Sequence, residues 1–329
     1  MRPIVARRGG FRLLSSALRD YNLRVSDASS INAATRLCAV FGHPIRHSAS
    51  PAMHNAGFAA LGLNWRYVAF DVRPEELRAA LIGAKVMQLS GLNLTVPHKL
   101  LAVDMVDALD ESARTWGAVN TIRFEGRDKS GAWLPLHHFS DNPPDKIRSN
   151  GFNTDADAIT RDIRETLGVE LKGSRVLLLG AGGAGRTAAL KIASEGVGEL
   201  FLVNRTESKA VSVAAEIRRR HLNVKVQLGY PRGEIDLAIN ATSLGLAAGD
   251  ALPWDVKQFS LRQAHNVYDM IYRPAQTEFL KAAKSGGCRT ANGLGMLLYQ
   301  GAAALELWTG QRAPVDVMRR ALESNVYGA

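Results

Sequence analysis

The chain has 329 residues, 46% of them hydrophobic and 22% charged, so it can bury a substantial core, and its length fits two domains better than one. No segment approaches the roughly 18 to 20 uninterrupted apolar residues that cross a bilayer, and the only two cysteines lie far apart without metal-ligand spacing. The net charge of +10 does not indicate a nucleic-acid partner, because six arginines and one aspartate lie within residues 1–24 and no aromatic-interleaved basic stripe follows. We therefore expect a cytoplasmic protein with no membrane domain, metal site or disulfide.

The first segment in chain order is a basic leader, residues 1–35, which we expect to be disordered or helical. Arginine and serine are frequent in it and acidic residues are nearly absent, a composition that faintly resembles an organellar transit peptide. The composition leaves both interpretations open.

Short apolar runs alternate with helical patterns from Arg36 onward, which is typical of βαβ units around a mostly parallel sheet. Pro97 is expected in the first turn of a helix, where its missing amide proton costs nothing, with Thr95 or Val96 near the cap. In this first half the pattern predicts strands over residues 37–41, 65–71, 89–95 and 119–124, and helices over residues 51–61, 74–85 and from 97.

Residues 126–151 interrupt this alternation. They contain Pro, Gly, Asn, Asp and Ser throughout and show no sustained period, which predicts a long hairpin or a loop insertion. His137 and His138 do not indicate a metal site, because neighbours on a strand point apart and no third ligand is evident.

An amphipathic helix over residues 154–167, followed by a continuous apolar strand over residues 175–179, marks the start of a second domain. The alternation then continues to two final helices. The pattern predicts further strands over residues 200–203, 224–228, 235–240 and 266–269, and helices over residues 206–220, 294–307 and 314–324.

The first strand of the second domain runs directly into a glycine-rich turn, residues 180–185, which opens a helix. In this context the spacing GxGxxG predicts a Rossmann-like dinucleotide site. Gly180 permits the tight turn, Gly182 lets the backbone approach a pyrophosphate, and the helix N-terminus offers unpaired amides. The cofactor residues predicted here are Gly180, Ala181, Gly182, Gly183 and Ala184.

The next strand ends at Asn204, where an NAD-binding fold would normally place a carboxylate on the ribose 2′-hydroxyl. No carboxylate stands there. Arg205 and Lys209 instead occupy the positions where a 2′-phosphate would lie, and Thr206 can cap the following helix while contributing a hydroxyl. The predicted cofactor is therefore NADP.

Polar side chains also follow the predicted strands of the first half. Ser48 and Ser50 precede a helix that starts with proline, so they can cap that helix or hydrogen-bond a carboxylate beside its positive end. Thr95 and Lys99 place a hydroxyl and an amine one turn apart at the next junction. Each of these residues is ordinary when it is taken singly.

Together, the motifs resemble those of the shikimate dehydrogenase family, which includes the shikimate/quinate dehydrogenases. The matching segments occur in family order from about residue 36 to 310: GHPIRHSASPAMHNAGF, NLTVPHK, GAVNT, NTD, LLLGAGGAGR, VNRTESK, NATSLG, YDMIYRPAQTEFL and NGLGMLLYQGA. The resemblance implies an oxidoreductase acting on a CH–OH group, which reversibly reduces 3-dehydroshikimate to shikimate with NADPH in aromatic amino-acid biosynthesis. We also expect a monomer or homodimer whose partners are small molecules.

The resemblance further implies a set of site residues. Lys99 would transfer the proton, with Asp155 as its partner, both touching the ring oxygens of the substrate. Ser48 and Ser50 would bind the carboxylate, and the hydroxyls would be bound by Thr95, Asn120, Tyr272 and Gln300. On the cofactor, besides the glycine turn and Asn204 to Lys209, the family implies Thr242, Ser243, Met270, Gly293 and Glu111.

The implied architecture is α/β, with four parts. After the leader, residues 36–153 form a substrate domain with the insertion 126–151. Residues 154–292 form a Rossmann-like NADP domain, and residues 293–329 are helices that pack back on the substrate domain. The insertion is longer than the family usually carries, so its contacts cannot be transferred from the family.

The end of the leader, residues 18–37, also resembles the junction found where a dehydroquinate dehydratase precedes this enzyme on one chain. The leader is thus either a targeting segment or the remnant of a fused upstream domain.

Two other functions fit the same motifs. The first is a quinate or quinate/shikimate dehydrogenase, although the extra hydroxyl of quinate, on the carbon that bears the carboxylate, would crowd a tight pair of serines. The second is a non-catalytic NADP-binding sensor, which the intact Lys99 and Asp155 argue against.

Overall fold

Two β-sheets with helices on their faces organise the chain in the computed structural model, which describes residues 31–139 and 144–328. The leader prediction for residues 1–30 lies outside these residues. In the first half the strands are β1 (Arg36–Gly42), β2 (Trp65–Asp71), β3 (Gly91–Leu94), β4 (Ala108–Leu109), β5 (Thr121–Arg127), β6 (Trp133–Pro135) and β7 (Ile147–Phe152). The helices are α1 (Ser50–Ala60), α2 (Leu77–Val86), α3 (His98–Leu101) and α4 (Glu111–Trp116).

The first sheet has the order β2-β1-β3-β5-β7-β4, with β6 paired to β5 alone. Strands β1, β2 and β3 are parallel, as the alternation predicts, whereas β5 runs antiparallel to β3, β6 and β7. This sheet is therefore less parallel than the sequence pattern suggested. Only the β5–β6 pair is explained by its connection, because a short turn between neighbouring strands reverses the chain, whereas a parallel pair needs a long crossover.

The insertion predicted over residues 126–151 forms a hairpin on this sheet; residues 140–143 within it lie outside the described part of the chain. The side chain of Glu125 is buried and accepts hydrogen bonds from Arg123 and Arg148. The Arg148 guanidinium lies 4.5 Å from the centre of the Trp133 ring. These contacts fasten β6 and β7 to β5, because a buried carboxylate is stable only when it is paired.

The helix predicted from Pro97 is displaced by one residue. Pro97 occupies the N-cap position, and α3 begins at His98, whose amide donates to the backbone oxygen of Thr95. The helix lasts one turn and continues as a 3₁₀ turn over Ala102–Asp104. No side chain caps it, so Thr95 contributes its backbone and not its hydroxyl.

The second half contains one fully parallel sheet with the order β10-β9-β8-β11-β12-β13. This arrangement confirms the predicted Rossmann-like fold class. Its strands are β8 (Arg175–Leu179), β9 (Glu199–Val203), β10 (Lys225–Leu228), β11 (Ile235–Asn240), β12 (Ala264–Asp269) and β13 (Arg289–Asn292). Its helices are α5 (Asp155–Leu167), α6 (Gly183–Ser194), α7 (Glu207–Arg220) and α8 (Glu278–Ser285).

Two further helices, α9 (Leu294–Thr309) and α10 (Val315–Tyr327), end the described chain and pack on the first half. Their apolar side chains share one buried cluster with Met53 and Phe58 of α1. The Trp308 indole lies against β3 and β5, and its Nε1 donates to the Ile122 carbonyl at 3.0 Å. Gly91 leaves room for this ring, since an ideal Cβ there would lie 2.2 Å from Trp308 Nε1.

Among the described residues, none of the helices combines the length and apolar character that a membrane span requires. The same residues contain no group of three His, Cys, Asp or Glu side chains suited to a metal ion.

Candidate active site

The register of the first sheet brings several predicted substrate residues to one edge. The parallel strands β1 and β3 end together, with Phe41 beside Leu94. The antiparallel strand β5 begins at that edge, with Thr121 beside Asn93, and β7 ends there, with Phe152 beside Thr121. The residues that flank these strand ends are Ser48, Ser50, Thr95, Lys99, Asn120 and Asp155.

Lys99 and Asp155 form an ion pair at this edge. The ammonium nitrogen of Lys99 donates to Asp155 Oδ2 at 2.7 Å, and the two side chains are 25% and 11% exposed. Lys99 lies in α3 and Asp155 is the first residue of α5, 56 positions later. The backbone oxygen of Lys99 accepts from the Val119 amide at 2.8 Å, which also fixes the main chain of this residue. The pair can therefore hold an ammonium group in one place while leaving it accessible.

A buried amide network lies beside this pair. The Asn120 Nδ2 donates to Thr154 Oγ1 at 2.9 Å and to Gln300 Oε1 at 3.4 Å. The Thr154 amide donates back to Asn120 Oδ1 at 2.7 Å. Asn93, also buried, donates to the Asn120 carbonyl and accepts from the Tyr67 hydroxyl. Asn120 and Gln300, predicted separately, are thus in contact. Thr154 and Asn93 were not predicted as site residues, although their positions inside the motifs NTD and NLTVPHK could have indicated them.

The two serines differ in their relation to α1. The N-cap of α1 is Ala49, and Ser50 is its first residue, buried and with its amide 3.4 Å from Ser48 Oγ. Ser48 Oγ thus makes a long hydrogen bond to the first amide of α1 from outside the N-cap position, whereas Ser50 does not cap the helix, and ligand binding stays open for both hydroxyls. Tyr272 is partly buried against the cluster shared by α1 and α9, and burial raises the pKa of its phenol.

The glycine-rich turn has the geometry that a dinucleotide requires. Gly180 has a φ of 107°, which side-chain-bearing residues rarely adopt. Gly185 lets α6 approach β8 closely, because an ideal Cβ there would lie 2.3 Å from the Gly180 oxygen. At Gly182, by contrast, an ideal Cβ would meet nothing within 4 Å, so the backbone faces open space. Gly182 is the N-cap of α6 and no side chain caps that helix, which leaves its first amides available to an anion.

Asn204 supports this turn from the neighbouring strand. Its Oδ1 accepts from the Ala181 amide at 2.9 Å, and its Nδ2 donates to the Thr206 oxygen. Thr206 is the N-cap of α7, but its hydroxyl makes no capping bond, so the predicted side-chain cap is wrong. Arg205 and Lys209 are exposed, and neither forms a salt bridge within the described residues. Both cations are thus available to a phosphate.

The remaining predicted cofactor residues follow the other strands of the same sheet. The ends of β11, β12 and β13 are level, with Asn240 beside Asp269 and Asp269 beside Asn292. Thr242, Ser243, Met270 and Gly293 come directly after them. Glu111 lies elsewhere, exposed at the first turn of α4 in the first half, and its side chain makes no hydrogen bond or ion pair among the described residues.

Asp269 is a buried carboxylate that the sequence prediction missed. It accepts hydrogen bonds from Asn240 Nδ2 at 3.0 Å, the Ile271 amide at 3.0 Å and the Thr277 hydroxyl at 2.6 Å. Asn240 Oδ1 in turn accepts from the Thr242 amide and hydroxyl. Asp269 therefore fixes both the loop of Thr242 and the loop that follows β12. The motif YDMIYRPAQTEFL contains Asp269, but the sequence alone does not distinguish a buried aspartate from an exposed one.

Replacing Asp269 by asparagine should change how stability depends on pH. Burial raises the pKa of Asp269 from 3.8 to about 6, despite the donors around it. The folded state therefore holds this proton at pH values where the unfolded state has lost it, so the contribution of Asp269 to the free energy of unfolding falls as the pH rises from about 4 to 6. The loss amounts to about 2 to 3 kcal/mol.

Asp269→Asn removes this loss, so the variant should gain stability relative to the native chain as the pH rises. Urea denaturation of both proteins between pH 4.5 and 7 measures the difference. Asp316→Asn, at an exposed position of α10, is the control. Parallel pH curves for the native chain and Asp269→Asn would show that this carboxyl does not carry the effect.

Three family models match successive parts of the chain. The shikimate dehydrogenase substrate binding domain matches residues 40–122, the shikimate / quinate 5-dehydrogenase model matches residues 162–244, and the shikimate 5'-dehydrogenase C-terminal domain matches residues 293–323.

Curated relatives match over nearly their whole length. Shikimate dehydrogenase (NADP(+)) of Moorella thermoacetica is 43% identical over 302 residues, which is 89% of this chain and 94% of the relative. The enzyme of the same name from Methanopyrus kandleri is 39% identical over 306 residues, covering 91% and 98%. A crystal structure of a shikimate dehydrogenase in complex with NADP+ superimposes with a TM-score of 0.75 at 35% identity, covering 91% of this chain and 98% of that one.

Proposed function

This chain belongs to the shikimate dehydrogenase family, and from that premise we propose that it is an NADP-dependent shikimate dehydrogenase, which interconverts 3-dehydroshikimate and shikimate. The relatives named above carry the same activity in their names. The function is that of an oxidoreductase acting on a CH–OH group in the shikimate pathway, which supplies aromatic amino-acid biosynthesis.

One observation carries the proposal for this chain: the residue next to Lys99 lies against the glycine-rich turn. An ideal Cβ on Gly183 would be 3.8 Å from Leu100 Cδ1. The ion pair of Lys99 and Asp155, which comes from the edge of the first sheet, therefore stands close to the turn at the edge of the second. A proton-transferring group and a dinucleotide site in such proximity are what reduction of a ketone requires.

The residues present fit NADP. The open space at Gly182 and the uncapped amides of α6 would hold the pyrophosphate, and Arg205 with Lys209 would hold the 2′-phosphate. Thr242, Ser243, Met270 and Gly293 would also contact the cofactor, which supplies or accepts a hydride when it is bound.

The chain's own residues provide the proton. The Lys99 ammonium donates a proton to the ketone oxygen during reduction, and its neutral amine accepts the hydroxyl proton during oxidation. Asp155 orients Nζ through its 2.7 Å hydrogen bond. Because the pair is only partly exposed, few water molecules compete for the substrate oxygen.

The substrate is held by polar groups around this pair. Asn120 and Gln300 orient the ring hydroxyls, and their mutual contact keeps both amides in fixed positions. Ser48 and Ser50 bind the carboxylate, while Thr95 and Tyr272 contact the remaining hydroxyls. Residues 36–153 thus form the substrate domain, residues 154–292 the nucleotide domain, and residues 293–329 bring Gln300 back to the substrate. The enzyme acts in the cytoplasm on small molecules, as a monomer or homodimer.

A turnover assay tests this function. The chain should oxidise shikimate with NADP+ more efficiently than it oxidises quinate with either NADP+ or NAD+, as followed by the absorbance of the reduced cofactor. A preference for quinate would make it a quinate dehydrogenase of the same family. Binding of NADP+ without turnover of either acid would make it a sensor and would reject the proposed activity.

A further inference from the structure

The C-terminal end of α4 is attached to the nucleotide half, although α4 belongs to the substrate half by sequence. The Trp116 ring packs against the core of the second sheet, and Lys191 Nζ lies 5.9 Å from its centre. Arg186 Nη1 donates to the Trp116 carbonyl at 2.6 Å, and Arg220 Nη1 donates to the Thr115 carbonyl at 2.5 Å. Two guanidinium groups of the second half therefore bind two backbone oxygens of the first.

These carbonyls are suited to cations because the last oxygens of a helix have no partners within it and lie at its negative end. Gly117 ends α4 in the left-handed conformation, with a φ of 63°. An ideal Cβ at Gly117 would lie 3.1 Å from Arg186 Nη1, so the guanidinium occupies the space beside this glycine.

Glu216 of α7 fixes both arginines. Arg186 reaches it with Nε and Nη2 at 2.7 to 3.1 Å, and Arg220 Nη2 lies 2.8 Å from its Oε1. The Arg186 and Glu216 side chains are 25% and 14% exposed. A paired fork of this kind holds a guanidinium in one orientation, so a displacement of the first turn of α6 is passed on to the Trp116 carbonyl.

The segment that follows the attachment leads directly to the substrate residues. The Ala118 oxygen accepts from Asn153 Nδ2 at 3.1 Å, and the Val119 amide donates to the Lys99 oxygen at 2.8 Å. Asn120 comes next. In the other direction, Arg186 lies in the first turn of α6, immediately after the glycine-rich turn. One side chain thus connects the turn to the backbone that positions Lys99 and Asn120.

We propose that Arg186 is a positioning residue that couples the glycine-rich turn to Lys99 and Asn120, so that a nucleotide bound at the turn strengthens binding of the substrate. The inference rests on the function proposed above. A pyrophosphate on the amides of α6 restrains its first turn and therefore Arg186. Restraint of Arg186 orders residues 116–120 before the substrate arrives, so the substrate bears less of the ordering cost. Because coupling is reciprocal, shikimate should tighten nucleotide binding by the same factor.

The test uses shikimate and NADPH, a pair that cannot react because both are reduced. Calorimetry gives the dissociation constant of shikimate with and without saturating NADPH, and the ratio of the two is the coupling factor. We expect a factor of about ten in the native enzyme and a factor near one in Arg186→Ala. The dissociation constant of NADPH alone should change by less than about threefold. In steady-state kinetics the KM for shikimate at saturating NADP+ should rise, and by reciprocity the KM for NADP+ at saturating shikimate should rise by a similar factor.

Arg219→Ala is the matched control, because Arg219 is an exposed arginine of α7 that forms no ion pair or hydrogen bond among the described residues. It should keep the native coupling factor. Arg186→Lys and Glu216→Gln each keep one partner of the Arg186–Glu216 pair unchanged, so they should give intermediate coupling factors. If Arg186→Ala fails to fold, these two variants provide the test, with binding measured below their melting temperatures.

An unchanged coupling factor in the Arg186 variants, a native factor of one, or an equal loss in Arg219→Ala would overturn the inference. Turnover of shikimate with NADP+ by the native chain is measured first. Absence of that turnover rejects the proposed function, whereas turnover without coupling rejects only the role of Arg186.

Discussion

Lys99→Ala should lower turnover of shikimate by about 10² to 10⁴ while leaving the affinity for NADP+ nearly unchanged. Lys99 is the amine at the edge of the first sheet that is held by an ion pair, and in the proposed reaction its nitrogen exchanges a proton with the ring oxygen. Alanine removes that proton donor. Cofactor affinity is retained because the glycine-rich turn, Arg205 and Lys209 belong to the second half of the chain.

Two measurements separate loss of chemistry from loss of fold. Removing Lys99 leaves the Asp155 carboxylate without its partner, so a modest loss of stability is expected and thermal unfolding should be recorded in parallel. Lys85→Ala is the matched control, because Lys85 also pairs with an aspartate, Asp107, at 3.0 Å in the same half. It should cost stability on a similar scale and leave turnover intact.

Asp155→Asn should reduce turnover less than Lys99→Ala, since the amine remains and loses only its orienting partner. Turnover of Lys99→Ala close to that of the native chain would exclude Lys99 as the proton-transferring residue.

Replacing Arg205 and Lys209 together with glutamine should weaken binding of NADP+ by up to about two orders of magnitude and change binding of NAD+ little. A charge-assisted bond between a guanidinium and a phosphate is worth roughly 1.5 to 3 kcal/mol, and the ammonium adds to it. Both side chains are exposed and unpaired within the described residues, so their removal breaks no internal contact. NAD+ lacks the 2′-phosphate, so its binding affinity should not depend on these two cations.

Dissociation constants for both nucleotides, measured at one fixed ionic strength, give the result, because long-range attraction between a basic protein and an anion depends on salt. Arg232→Gln with Lys257→Gln removes the same charge from exposed loops that precede β11 and β12, at the opposite edge of the second sheet. This control should affect NADP+ and NAD+ equally and weakly. Equal losses for both nucleotides in the Arg205 and Lys209 variant would assign these residues to folding.

The sequence was sufficient for five of the six strands of the second sheet and for its glycine-rich turn. Strands buried on both faces are continuous apolar runs, and the bounds predicted for β8 and β11 match those in the structure. The turn between β8 and α6 was also predictable. Close approach of backbone to backbone admits only glycine there, so the turn is visible in the sequence as a run of glycines. The ordered motifs led to the same family as the comparisons, and that assignment is confirmed.

Short elements were predicted less well. The two-residue strand β4, the four-residue strand β13, the six-residue helix α4 and the eight-residue helix α8 were missed, since so few residues hold too little of a period to recognise. The antiparallel pairing of β5 was likewise hidden, because strand direction depends on how the chain reverses and not on which residues alternate.

By itself, the sequence predicted a set of residues to carry chemistry, but only the tertiary structure decided which of them meet. Lys99 and Asp155 stand 56 positions apart, and Asn120 and Gln300 stand 180 apart, so no local pattern could pair them. The burial that raises the pKa of Asp269 and the attachment of α4 through Arg186 depend in the same way on distant segments. The physical reason is that the sequence specifies the identity of each side chain, whereas side-chain contacts, burial and the local dielectric constant arise only when the two sheets and the C-terminal helices α9 and α10 pack together.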